Sequence, residues 1–106
     1  MTIKTISGKK SPLRSGDFQE IIADTANGNP ISLEDKVATV TIVAGAGTGK
    51  AQTTTSGEDA ILAGTANWVD WGKGDVTGTN SDVLTGPVSA VRGVSVSGEI
   101  TIEIVV

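Results

Sequence analysis

The chain contains neither cysteine nor histidine. Without thiols it forms no disulfides and no thiolate metal sites, and without imidazoles it lacks the commonest zinc ligand and the commonest general base. Aromatic residues are almost as scarce, being limited to Phe18, Trp68 and Trp71. A core must therefore come from Val, Ile, Leu and Ala, and the β-branched members of that set favour sheet over helix. No apolar run approaches the length of a transmembrane helix, and the opening MTIKTISGKKS has no continuous apolar stretch of the kind a secretory signal carries. The expectation is a chain made in the cytoplasm with no membrane partner.

What is present is a single domain's worth of residues, 106 in all, with 14 glycines. A domain of this size buries roughly 65% of the surface its unfolded chain exposes, enough for one modest core. The net charge of −4 conceals a division. Lys4, Lys9, Lys10 and Arg14 all precede the first acidic residue, Asp17, which leaves four basic against twelve acidic side chains in the remainder, a net −8. An acidic body is poorly suited to phosphate backbones, so nucleic acid is not an expected partner. Residues 1–16 read as a flexible basic N-terminal arm and residues 17–106 as one β domain. The arm's four cations are its candidate contacts with an acidic neighbour.

Alternation places the strands. Ile100, Ile102, Ile104 and Val106 alternate with Thr101, Glu103 and Val105, the period of two that a half-buried sheet requires. Residues 88–106 read as a C-terminal hairpin turning at Ser97-Gly98, a register that sets Arg92 opposite Glu103 and Gly93 opposite Ile102. In residues 17–24, Phe18, Glu20 and Ile22 share one side. In residues 37–43, Ala38, Val40 and Ile42 oppose Val37, Thr39, Thr41 and Val43. The spacing of these segments and their turns predicts an all-β fold, a small antiparallel sandwich or barrel. Residues 31–36 suggest one helical turn capped by Ser32, residues 56–59 a turn, and residues 65–71 a strand with Trp68 on one face and Val69 and Trp71 on the other.

The segment 44–50 (AGAGTGK) looks like a phosphate-binding loop, but its first glycine position is Ala44 and its hydroxyl position is Ala51. It reads instead as a hairpin tip joining strands 37–43 and 51–55. A glycosidase-like pair could be drawn from Asp17, Glu20, Asp24, Glu58, Asp59, Asp70, Asp75 and Asp82, yet three aromatics make a poor sugar cleft. Asp70, Asp75, Asn80 and Asp82 supply hard oxygens for calcium without the spacing of any EF-hand loop. The reading is of a protein that is no enzyme and holds no cofactor. Trp68 and Trp71 are the interface candidates, with one expected in the core and one at a contact surface.

The stretches GDFQEIIADTANGNPI (residues 16–31) and GPVSAVRGVSVSGEITIEIVV (residues 86–106), joined to a basic arm and an acidic Gly/Thr/Val-rich body, resemble the small head decoration, or cement, proteins of tailed bacteriophages. The resemblance implies a structural virion protein that binds the outside of the capsid as a homo-oligomer, a trimer, and bridges subunits of the major capsid protein. Such attachment is multivalent, so modest contacts sum to firm binding. A carbohydrate-binding or adhesion module of a phage fibre, with Trp68 or Trp71 as the contact, is the alternative.

Overall fold

The computed structural model describes residues 4–5, 17–33, 36–84 and 88–106. The order of elements is β1 (Lys4–Thr5), β2 (Asp17–Ile22), β3 (Ile31–Ser32), β4 (Ala38–Thr54), α1 (Glu58–Ala63), β5 (Val69–Asp70), β6 (Val76–Leu84), β7 (Ala90–Ser97) and β8 (Ile100–Val105). The fold is all-β and, apart from the short parallel pairing of β1 with β3, antiparallel.

The seventeen residues of β4 organise everything else. Its first part pairs with β8, from Thr39 opposite Val105 to Val43 opposite Thr101, and its second part pairs with β7, from Thr48 opposite Ser97 to Thr54 opposite Ala90. Residues 90–105 thus run alongside the whole of β4 in one direction. On the other flank β6 and then β5 do the same, and β2 and β3 likewise follow the far edges of β8 and β7. Four long stretches lie side by side, and all of them bend at one level.

That bend corrects two expectations at once. Neither residues 88–106 nor the AGAGTGK segment is a hairpin. Arg92 stands opposite Gln52 rather than Glu103, and Glu103 lies between Gln19 and Thr41. The glycines do adopt positive φ, +57° at Gly45 and +76° at Gly98, conformations that an L-residue resists. Here they turn a corner with slips in register between Val43 and Gly49, the geometry of β-bulges, instead of reversing the chain. A reversal would have paired β7 with β8 alone. Bending lets both pair with β4.

Folding the sheet over in this way makes the core. Ala38, Val40, Ile42 and Ala44 of β4, Phe18 and Ile22 of β2, and Ile100, Ile102 and Ile104 of β8 are all buried, as their alternation requires. They face small residues beyond the bend. A Cβ on Gly93 would run into Ile22 Cδ1 and sit 3.3 Å from Ile102 Cβ, while one on Gly49 would lie 2.7 Å from Ile100 Cδ1. The glycines therefore provide the room that the isoleucines fill. Each fully buried isoleucine contributes about 1.5–3 kcal/mol by removal from water.

Three local expectations are also revised. Residues 58–63 form a short helix, with Glu58 and Asp59 in its first turn and Gly64 closing it at φ +77°. Ile31–Ser32, where a helical turn capped by Ser32 is expected to begin, are strand, the Lys36 amide donates to the Leu33 carbonyl at 2.9 Å, and residues 34–35 lie outside the described residues. The strand expected over residues 65–71 is reduced to Val69–Asp70. Of the arm, Lys4 and Thr5 pair with β3, whereas Lys9, Lys10 and Arg14 lie outside the described residues.

Candidate functional site

The register that displaced the Arg92–Glu103 pair assembles a different constellation. Gln52 stands directly opposite Asp70 on β5 and directly opposite Arg92 on β7, so three polar side chains cross three adjacent strands on one face. Lys50 joins them because residues two apart in a strand share a face. Trp68, just ahead of β5, joins them through its ring contact with Arg92.

These groups form a continuous chain of contacts. Lys50 Nζ lies 3.2 Å from both Asp70 carboxylate oxygens and 3.9 Å from Asp75 Oδ1. Gln52 Nε2 donates to Asp70 Oδ1 at 2.9 Å, and Gln52 Oε1 accepts from Arg92 Nε at 2.9 Å. The Arg92 guanidinium carbon then stands 4.3 Å from the centroid of the Trp68 ring, within cation–π range. The Gln52 hydrogen bond, followed by that of Lys50, holds the Asp70 carboxyl below the usual carboxylate range. Partial burial lowers the Arg92 guanidinium from its ordinary value, and it remains charged at neutral pH.

The two tryptophans differ in burial, and Val69, expected on the face of Trp71, is exposed instead, because the strand that would have alternated them is only two residues long. Trp71 is the buried one, 4% exposed, donating its indole N–H to the Gly74 carbonyl at 2.7 Å. Its backbone N–H binds the Ala51 carbonyl, which fixes the turn that carries Trp68 and Asp70 to β4. Trp68 is half-buried, with Arg92 across one ring face.

Of the candidate carboxylates, Asp70 and Asp75 share Lys50, and the others are spread over separate contacts. Glu20 accepts from the Asn29 backbone and side chain, Asp24 from the Gly98 amide at 2.7 Å, and Asp82 from the Val83 amide. Glu58 and Asp59 are exposed on α1, and the Asp17 side chain lies outside the described residues. Among the described residues no group of three or more carboxylates is placed to hold a metal ion, and Asn80 donates to the Thr77 carbonyl. Residues 44–50 lie inside β4, with the Lys50 ammonium committed to Asp70.

A second surface lies on the outer side of the first half of the sheet. Ile21, Thr101, Val43 and Thr79 form one row across β2, β8, β4 and β6; Val105, Thr39 and Val83 form another. Ile21 is 66% exposed and Val83 50%, and among the described residues this face carries no lysine or arginine. No helix among the described residues is long and apolar enough to cross a membrane.

No protein-family model matches the chain, and no curated protein matches it. A solved structure described as "Bacillus endospore appendages form a novel family of disulfide-linked pili" is similar over 92% of this chain and 93% of that one, at 13% identity and a TM-score of 0.36, a likeness too loose to bear on function.

Proposed function

We propose that the protein is a structural virion protein that binds the outer surface of a bacteriophage capsid, as a homo-oligomer, and stabilises it by bridging major capsid protein subunits. The observation that carries this reading is the set of exposed β-branched residues in two rows of the outer sheet face. Ile21, Val83 and Val105 are exposed there beside Thr39, Thr79 and Thr101, which leaves their methyl groups available to a partner surface. A face that carries no lysine or arginine among the described residues, with Gln19 and Glu103 between its two rows, suits contact with another protein more than with a polyanion. The division between a basic arm and an acidic body also supports docking at two points rather than one.

The glycan alternative draws less support, because the Trp68 ring already has Arg92 across one face. The test is light scattering after size-exclusion chromatography, with the protein alone and then mixed with undecorated phage capsids. Co-migration at a fixed subunit ratio, lost on changing Ile21 and Val83 together to lysine, is the expected result. Failure to join the shells, with a change in tryptophan fluorescence on adding glycans, would replace this reading by the adhesion one.

A further inference from the structure

The geometry points to Arg92 as a preformed receptor for a carboxylate, an Asp or Glu side chain presented by a protein partner. This inference rests on the protein-binding part of the reading above and adds the chemistry of one contact.

Arg92 is oriented from two directions. Its Nε–H is held by Gln52 Oε1, and its plane lies against Trp68. The amide of Gln52 is itself oriented, since its nitrogen end serves Asp70 and its oxygen end must then face the arginine. Asp70 in turn is fixed by Lys50. The whole chain of contacts ends at the guanidinium.

The two terminal nitrogens of Arg92 are the part left over. Among the described residues they make no hydrogen bond or ion pair, and no acid faces them, because Asp70 is taken by Gln52 and Lys50. They reach water, since among the described residues no buried side-chain nitrogen or oxygen lacks a partner. An arginine with Nε occupied still offers a pair of parallel N–H donors, the geometry that matches a planar carboxylate. Holding the side chain in place beforehand removes much of the ordering cost of binding.

The fork alone would also accept a phosphate, so the surroundings decide. A dianion needs a second cation, and the neighbouring one, Lys50, is neutralised by Asp70 with Asp75 nearby. One uncompensated positive charge in an acidic body matches one carboxylate. Beside it the half-buried Trp68 supplies apolar contact, the combination of residue types that most often dominates protein interfaces.

The experiment follows the Arg92 Nε–H and Trp68 indole N–H signals of the full-length ¹⁵N-labelled protein, assigned with Arg92→Lys and Trp68→Phe. At constant ionic strength it is titrated with acetyl-Gly-Glu-Gly-amide, with the Gln counterpart, and with inorganic phosphate. The expected result is a saturable shift of both signals with the Glu peptide, several-fold larger than with the Gln peptide, and no shift of the indole signal in Arg92→Lys. Equal responses to the two peptides would overturn the proposal, as would a response to phosphate exceeding that to the Glu peptide. The wild-type comparison decides the matter even where a variant loses its dispersed spectrum. Because no capsid is involved, a positive titration in a protein that ignores capsids would remove only the virion reading, and a negative one with capsid binding intact would remove only this contact.

Discussion

Gly47 lies so close to Ser97 that a Cβ at position 47 would collide with the Ser97 carbonyl oxygen, and it would also come within 3.3 Å of Gly98 Cα. Both atoms belong to backbone, so neither can rotate away. Gly47→Ala is expected to cost about 1–3 kcal/mol, the range for overpacking a site that cannot yield. Gly72→Ala is the control, since its Cβ would meet only Asp82 Oδ2 at 3.6 Å, an ordinary contact. Its urea midpoint should move by no more than roughly 0.5 kcal/mol equivalent. Equal midpoints for the two variants would show that the corner is looser than described.

Why the corner escaped the sequence is a matter of what glycine encodes. A positive φ serves a tight reversal and a bent strand equally well, and only the partner chosen by β7 distinguishes them. That partner, β4, is decided by long-range pairing. The alternation of Ile100, Ile102 and Ile104, and of Ala38, Val40 and Ile42, needed no such knowledge, and those residues are buried as read. The candidate site was hidden for the same reason as the corner. Lys50 reads as part of a hairpin tip rather than of the strand that holds Gln52, and Gln52 meets Asp70 across 18 positions of sequence and Arg92 across 40. The helix at 58–63 is too short to show a period.

Gly93 and Ile22 carry the next expectation. The Ile22 Cδ1 methyl fills the space above Gly93 and also approaches the Cβ position of Gly28, at 2.8 Å. Gly93→Ala should lose about 1–3 kcal/mol by overpacking, and Ile22→Val about 0.5–1.5 kcal/mol by removing that methyl. Combined, they should cost less than the sum, because the shorter side chain vacates the space the new methyl needs. Strict additivity in a double-mutant cycle by urea denaturation would refute the packing of β7 against β2.

Thr25 lies in the turn that follows β2, with φ +57°. A β-branched residue is poorly suited to that conformation, whereas asparagine tolerates it. The side chain is exposed, and its hydroxyl bonds only the adjoining Asp24 carbonyl. Little is lost with it. Thr25→Asn should stabilise the protein by roughly 0.5–1 kcal/mol, read as a raised thermal midpoint. A lowered midpoint would mean that the strain is offset by something the hydroxyl does.

Asp70 supplies a prediction in pH. Its folded carboxyl is held below the unfolded value, first by Gln52 and then by Lys50, so protonation favours the unfolded chain. The stabilisation is complete above an unfolded carboxylate pKa of about 4 and is lost as the pH falls through the lowered folded value. Its side chain is 48% exposed, so water screens the pair and the effect stays within about 1 kcal/mol. Asp70→Asn keeps an oxygen for Gln52 Nε2 to bind while deleting the charge, which separates titration from geometry. Urea midpoints of both proteins at neutral pH and at roughly pH 3 make the comparison, with the other carboxylates common to the two. The wild type should lose more on acidification than the variant. Parallel losses would show that Lys50 and Gln52 hold Asp70 too weakly to favour its charged form, and the fixed orientation of Gln52 toward Arg92 would lose its support.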